Sequence, residues 1–536
     1  MEPSRSQQYR STRGGSKGFT FEAAVLKGLA DDSGLFLPHA IPALPSDWRS
    51  AWAHLSFQEL AFNVLSLYIS PSEIPADDLK DLVHRSYATF RDSDVTPLRH
   101  LRKKDNLYLL ELFHGPTFAF KDVALQFLGN LFEYFLKRKN QGKSDADRHK
   151  ITVVGATSGD TGSAAIYGLR NKEDVSVFIL HPRGRVSPIQ EAQMTTVLDA
   201  NVHNIAVEGT FDDCQDIVKQ LFGDADFNSK YNLGAINSIN WARILAQIVY
   251  YFHSYFTLLR SLGLPPTSPE AERIQLRYVV PTGNFGDILA GYYAKSMGLP
   301  VSKLIVATNA NDILNRFFQS GRYEKKEAPA GHEADGQLPQ AADGAAAAPD
   351  GAKETLSPAM DILVSSNFER LLWYLAGEAE TEGGEEGAQK AGEILAGWMN
   401  ELKTNGRFAV SDKVLEAGRR DFGSERVSDE QTLETIQAFY AGEPGENPYI
   451  LDPHTAVGIA AAIRTSSPET YTISLSTAHP AKFSAAVDTA LKKFPGYNFD
   501  QVLPEEFKGL LEKEKRIEYV QRADISLVKE VIERLA

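Results

Sequence analysis

The sequence predicts an α/β fold, and three observations carry that reading. Between Leu98 and about Pro300, strand-like apolar runs at 107–113, 151–154, 175–180 and 278–280 alternate with helical patterns, as they do in βα units. Three of the strand-to-helix junctions carry glycine-rich turns, which let a backbone turn sharply and approach a ligand closely. A chain of 536 residues with 43% hydrophobic content is too long for one core and has the apolar material for two or three domains.

Composition marks the divisions. Residues 1–95 hold short helical patterns, such as Phe57, Leu60, Ala61, Val64 and Leu65, and are expected to form an N-terminal helical domain. Two α/β lobes are expected over 96–322 and 355–536. Between them, 324–354 is dominated by Ala, Gly, Pro, Asp and Glu and includes Ala345-Ala-Ala-Ala-Pro349. With so few apolar anchors it is expected to be a disordered or loosely packed surface insertion. A smaller acidic stretch, 377–389, interrupts the helical region that follows; loops take such insertions at modest entropic cost. No internal repeat is visible.

Charge and cysteine content narrow the function classes. A net charge of −14 disfavours sequence-independent nucleic-acid binding. The single cysteine, Cys214, excludes an intrachain disulfide and any multi-cysteine metal site, which suits a reducing compartment. No metal-ligand spacing is present, and no apolar run reaches membrane-spanning length. The start, Met1-Glu-Pro-Ser-Arg-Ser-Gln-Gln8, lacks the apolar core of a secretory signal. Its Ser and Arg content is faintly transit-like, but the cytosol is the expected location.

The first junction, His114-Gly-Pro-Thr-Phe-Ala-Phe-Lys121-Asp122, is the most informative. The run 107–113 reads as a buried strand that Gly115-Pro116 stops. Phe120, Ala124, Phe127, Leu128 and Leu131 recur at helical spacing, so a helix is expected from near Phe118 with Lys121 in its first turn. There the helix end and burial both disfavour an ammonium ion, which makes a lysine nucleophilic near neutral pH. A surface lysine that merely follows a turn would show the same local pattern.

The second junction runs from 151–154 into Gly155-Ala-Thr-Ser-Gly-Asp-Thr-Gly-Ser163, followed by a helix through Ala164, Ala165, Tyr167 and Leu169. Four hydroxyls and three glycines in nine residues exceed what a capped helix start requires and supply donors for an anion. No Gly-Lys-Ser/Thr follows at the spacing of a P-loop. The third junction, Tyr278-Val-Val-Pro-Thr-Gly283-Asn-Phe-Gly286-Asp287, again brings glycines to a helix start, a setting suited to a phosphate monoester. Each loop is a weak signal alone. An amine for a carbonyl together with two anion cradles points to a phosphorylated aldehyde cofactor, and pyridoxal phosphate fits that description.

These motifs, with Leu475-Ser-Thr-Ala-His-Pro-Ala-Lys482, resemble those of the threonine synthase family. Tyr9-Arg-Ser-Thr-Arg13, Phe21-Glu-Ala-Ala-Val-Leu-Lys-Gly-Leu-Ala30, Gly34-Leu-Phe-Leu-Pro38, 231–243 and Ser357-Pro-Ala-Met-Asp-Ile362 are similar to its longer fungal and bacterial branch. The resemblance runs from about Tyr9 into the C-terminal third, with two interruptions. It implies a fold-type II pyridoxal-phosphate lyase, similar to the tryptophan synthase β chain, with two α/β lobes facing each other across the cofactor. The implied activity is that of a carbon-oxygen lyase acting on phosphates, converting O-phospho-L-homoserine and water into L-threonine and phosphate.

By the same resemblance, Lys121 is the catalytic lysine that holds the cofactor, and Gly283, Asn284, Phe285 and Asp287 receive the cofactor with it. An ionised Asp287 cannot touch an anion directly, so it is expected to cap the loop or order donors and water. Thr477 matches the position that meets the pyridine nitrogen, although a threonine ending a strand in a turn would look alike. Thr157, Ser158, Asp160 and Thr161 are expected beside the cofactor and the substrate carboxylate, with Asp160 toward the ring hydroxyl. Arg243, Arg183 and Arg185 are candidates for the substrate phosphate, because arginine offers it a fork; a structural ion pair is the alternative for each. His114 and His454 read as structural.

Three other functions stay open at this level. A related phospho-lyase would release 2-oxobutyrate and ammonia from the same substrate, and a serine/threonine dehydratase would share the cofactor chemistry. A non-catalytic binding relative is disfavoured by the retained Lys121 and both anion loops. Oligomeric state is not legible.

Overall fold

Two parallel sheets stand on either side of a pair of long buried helices. The computed structural model describes residues 7–325, 351–443 and 447–536. The first sheet has the strand order Phe422–Arg426, Val301–Thr308, Leu276–Pro281, Tyr471–Ser476, Leu107–Glu111, Leu98–Arg102. All are parallel except Leu98–Arg102, which runs antiparallel to Leu107–Glu111 at the edge. The second sheet is wholly parallel, in the order Glu518–Val520, Val202–Val207, Val175–Pro182, Ile151–Ala156, Leu233–Gly234.

Parallel sheets are covered on both faces, so their strands carry continuous rather than alternating apolar runs. Leu107–Glu111 is buried at every residue, and Leu276–Pro281 at all but one. The helices Lys121–Asn140 and Trp241–Ser261 are buried over most of their circumference, as expected of helices held between layers. They share one core with residues from both sheets. The fold-type II α/β architecture expected from the sequence is the one observed.

The N-terminal residues join that same core. Tyr9 packs at a tilt against Trp241 with ring centroids 5.8 Å apart, and Phe21 meets Phe135 at 6.4 Å. The helix Phe57–Ser66 starts with a capping box between Ser56 and Glu59, a signature legible as Ser-x-x-Glu. The wholly helical expectation for 1–95 leaves out an antiparallel sheet of Lys17–Phe19, Tyr9–Ser11 and Phe36–Pro38. Each strand has three residues, too few for a period-two pattern to show.

The expected insertion at 324–354 falls largely on 326–350, outside the described residues. Its flanks are built into the fold. Glu324 pairs with Arg407 in a two-stranded sheet, and the Lys353 N–H donates to Asn311 Oδ1 at 2.7 Å. The acidic stretch 377–389 supplies the facing ends of two helices, Phe368–Glu380 and Gly384–Asn405. Its charges are used there: Glu378 accepts from Arg420 and Glu385 from Arg10. Among the described residues no helix is long and apolar enough to cross a membrane.

Candidate active site

Three of the first sheet's parallel strands end at the same edge, and the segments leaving them meet there, where open α/β sheets bind ligands. Leu107–Glu111 leads to Lys121, Leu276–Pro281 to Gly283 and Tyr471–Ser476 to Thr477. The Lys121 and Thr477 segments are laced together. Phe120 N–H donates to the Thr477 carbonyl at 2.8 Å, His479 N–H to the Phe118 carbonyl at 3.1 Å, and Ala119 bridges Ala478. From the second sheet, Ile151–Ala156 delivers Asp160 to the same place, 3.9 Å from Lys121 Nζ.

The helix carrying Lys121 begins at Lys121 itself, not near Phe118. Phe118 has φ 60°, a left-handed conformation that costs a non-glycine residue energy and stops a helix from reaching back past it. Asp122 holds the turn: its carboxylate accepts from the Thr117 N–H and hydroxyl, both at 2.7 Å. Burial, partly offset by those bonds, pushes Asp122 up to about 6. The Lys121 side chain is 12% exposed. Burial pulls its amine down to about 8; Asp160 opposes this, while Lys482 and Arg243 reinforce it. An amine titrating there is part neutral at ordinary pH and can act as a nucleophile and as a proton carrier.

The wall opposite is the Gly283–Asp287 turn. Phe285 is left-handed at φ 64° and caps the helix Gly286–Met297, packing its ring against Phe368 at 5.0 Å and Phe422 at 5.8 Å. Those contacts hold a left-handed backbone at a helix start, where the first-turn N–H groups have no intrahelical partner. A side chain at Gly283 has no room: its Cβ would lie 2.8 Å from the Ala359 carbonyl oxygen. Ser365 Oγ donates to the Gly283 carbonyl at 2.7 Å, and Asn367 donates twice to that of Asn284, at 3.1 and 2.9 Å. Ser365 and Asn367, just past the Ser357–Ile362 stretch matched by resemblance, are therefore the clamp on this turn.

Asp287 belongs to the turn by its backbone alone. Its carboxyl turns into the helix Trp241–Ser261, where Tyr250 and Tyr251 donate to Oδ1 and Oδ2 is left without a partner among the described residues. It neither caps the loop nor reaches toward an anion. Burial, against the pull of the tyrosines, pushes it up to about 7.

The remaining candidates divide. Thr157 is buried, and its hydroxyl accepts from the N–H groups of Gly159 and Gly162 at 2.9 and 2.8 Å, so it shapes the loop. Ser158 is exposed and Thr161 half-buried at its rim. Thr477 is buried and presents its carbonyl to Phe120. Arg243 is buried beside Lys121, with Nη1 donating to the Ile236 carbonyl at 3.1 Å and Nε lacking a partner among the described residues. Arg183 and Arg185 lie exposed, and Arg183 pairs with Glu208 at 3.3 Å. His114 bonds Glu111 at 2.8 Å, and His454 bonds Asp452 at 3.0 Å while accepting from the Ala359 N–H; both are structural here.

Two residues without an assigned role in the sequence reading stand at the centre. Lys482 is fully buried and donates to Asp160 Oδ1 at 2.6 Å and to the Thr117 carbonyl at 2.8 Å. Gln190 donates to the same Asp160 oxygen at 2.8 Å. The available signal was a lysine directly after Ala478-His-Pro-Ala481, at the end of the strand-to-turn motif. A buried amine, a neutral-to-cationic pocket and a helix-start cradle that excludes a Cβ together fit pyridoxal phosphate. Lys121 would meet its aldehyde, the Gly283–Phe285 backbone its phosphate, and Thr477 and Asp160 its ring.

Comparison with known proteins agrees. Residues 8–87 match the family model for the threonine synthase N terminus, 91–363 that for pyridoxal-phosphate dependent enzymes, and 455–532 that for the threonine synthase C-terminal region. The threonine synthase of Schizosaccharomyces pombe is 58% identical over 533 residues, covering 98% of this chain and 97% of that one. The crystal structure of threonine synthase from yeast superposes with a TM-score of 0.89 at 54% identity, over 99% of both chains. A pyridoxal-phosphate-bound threonine synthase from Brucella melitensis gives 0.82 at 39%, again over 99% of both. With its three segments and its fold matching, this chain belongs to the threonine synthase family of pyridoxal-phosphate dependent enzymes.

Proposed function

We propose that the protein converts O-phospho-L-homoserine and water into L-threonine and phosphate in the cytosol. The observation that carries this reading is a near-buried lysine 3.9 Å from the Asp160 carboxylate, between an anion cradle and a cationic pocket, in a chain of this family. Protons must leave Cα and then Cβ, phosphate must depart from Cγ, and water must add at Cβ. Pyridoxal phosphate, when bound, supplies the electron sink for the resulting carbanions.

The chain's residues supply the rest. Lys121 Nζ takes a proton from one carbon and returns it at another, a role suited to an amine poised between its two protonation states. Asp160, ionised beside it, orients that amine. The backbone of Gly283, Asn284 and Phe285 holds phosphate at a helix start, where partial positive charge favours an anion. The Thr477 hydroxyl offers a neutral contact that leaves a ring nitrogen's protonation unforced. Arg243, with a free buried Nε–H, is placed to meet an anionic group of the substrate.

The test is product identification. Purified holoenzyme incubated with O-phospho-L-homoserine should yield threonine and phosphate in equal amounts. Release of 2-oxobutyrate and ammonia instead would assign the phospho-lyase activity.

A further inference from the structure

Lys482 is an unusual residue to find where it is. A lysine ammonium fully removed from water costs several kcal/mol unless paired and hydrogen-bonded, and a chain this rich in apolar residues could have closed the space with a methionine. It is paired instead with Asp160 at 2.6 Å, and tied to the Thr117 carbonyl at 2.8 Å. Lys482 follows a strand of the first sheet and Asp160 a strand of the second, so the bond joins the two walls of the site.

Asp160 is therefore shared unequally. Its Oδ1 receives both Lys482 and Gln190, at 2.6 and 2.8 Å, whereas Lys121 lies 3.9 Å from Oδ2. The first two distances are hydrogen bonds, and the last is only a loose ion contact. One carboxylate faces two lysines, and the nearer takes its charge. The other charged groups facing Lys121 are Arg243 from the helix Trp241–Ser261 and Asp122 from its own helix. Asp122 is occupied by Thr117, and Arg243 is a further repulsion for an ammonium ion.

We propose that Lys482 is a positioning residue: by engaging one oxygen of Asp160 it keeps that carboxylate from becoming a full counter-ion to Lys121, and so holds the Lys121 amine in a reactive state. Without Lys482, Asp160 is free to close the gap to Lys121 and form a tight pair, and a tightly paired ammonium gives up its proton at higher pH. Burial lowers Lys121 most, and the charge of Lys482 adds to it while Asp160 opposes it only in part. Although burial opposes it, the charges of Lys482 and Lys121 hold Asp160 well below the usual carboxylate range.

The inference rests on Lys121 being the cofactor lysine, but its test does not depend on which product the enzyme makes. Full-length protein is stripped of cofactor and shown to regain its chromophore when pyridoxal phosphate is restored. It is then pulse-labelled with acetic anhydride from pH 6 to 10, and the Lys121 peptide is quantified by mass spectrometry. The wild-type midpoint should fall near 8, and in the holoenzyme the same peptide should be protected. K482M should raise the midpoint by about one unit, equivalent to about tenfold less labelling at neutral pH, whereas K482R, which keeps the charge, should stay close to wild type. D160N should move the midpoint the opposite way, because Lys121 then has lost its anion whichever lysine keeps the proton. A K482M midpoint at or below that of wild type overturns the proposal, as does a K482R shift equal to that of K482M. Should K482M not fold, K482Q, which keeps a hydrogen-bonding side chain without the charge, takes its place: a K482Q midpoint at or below that of wild type sinks the idea. Failure of product formation with these shifts intact would count against the proposed reaction only.

Discussion

Asp160 and Asp287 occupy matching places on opposite walls of the site. Each follows a glycine directly, each sits in the first turn of a helix that leaves a parallel strand, and each is buried. A helix start favours an ionised carboxylate at both. Yet Asp160 is held well below the usual carboxylate range, while Asp287 is pushed up to about 7 by burial. What lies across from each accounts for the difference. Asp160 faces Lys482 and Lys121; Asp287 faces Tyr250 and Tyr251. Hydroxyl donors soften the cost of burying a charge, but only an opposite charge overcomes it. One wall thus sets a buried amine beside a fixed anion. On the other, burial keeps the carboxyl partly protonated near neutral pH, which lessens repulsion toward an anion at the helix start.

The comparison breaks most visibly at Lys121. K121A is expected to lower threonine formation on the order of 10³-fold or more, since on the proposed reading it removes both the attachment point and the proton carrier. The check is product assay together with tritiated borohydride labelling, which in wild type should map to Lys121; a label on another lysine would falsify the assignment. On the opposite wall, G283A places a Cβ 2.8 Å from the Ala359 carbonyl oxygen, so the cradle must open. Pyridoxal phosphate affinity should fall about 10- to 100-fold, measured by equilibrium dialysis, with little change for pyridoxal, which has no phosphate. An equal loss for both ligands would place the cradle elsewhere.

A third substitution sharpens the contrast between neutral and charged contacts. If Thr477 meets the ring nitrogen as proposed, T477D is expected to reduce turnover about tenfold by putting a carboxylate there, and T477S should be mild. Unchanged kcat in T477D would remove Thr477 from the ring contact.

Asp287 makes a pH prediction. An unfolded aspartate titrates at about 4, and the folded one at about 7. Below about 4 both states are protonated and burial carries no charge penalty. As pH rises from about 4 to 7 the unfolded chain ionises first, so stability is lost, and above about 7 the loss is complete. D287N keeps the acceptor for both tyrosines and does not titrate, so its melting temperature relative to wild type should climb by about 2–4 °C between pH 5 and 8. A difference that stays flat would mean that Asp287 ionises freely. The smallest effect is expected outside both walls: replacing 326–350 with a short Gly-Ser linker should leave turnover within about twofold, and a large loss in kcat with the fold kept would make that segment part of the active site.

Much of this site was legible before any coordinates, for a local reason. Lys121, the Gly283 turn and Thr477 each sit where a strand ends in small or polar residues and a new element starts, and such punctuation is written in consecutive residues. The buried strands 107–111 and 276–281 show as apolar runs for the same reason. Asp287 was less legible, because its direction depends on Tyr250 and Tyr251, some 36 positions earlier. The three-residue strands near the N terminus carried too little pattern to see.

The sequence by itself determined the α/β class, the three strand-to-helix junctions and, through motif resemblance, the family. All of these are properties of short contiguous stretches, where backbone preference and hydrophobic period act over a few residues. Only the tertiary structure decided how charge is shared among them. Lys482 reaches Asp160 across 322 positions, and Ser365 and Asn367 grip a turn 82 and 83 positions away. Ionisation depends on burial and on the nearest opposite charge in space, and neither quantity exists until the two sheets have closed on each other.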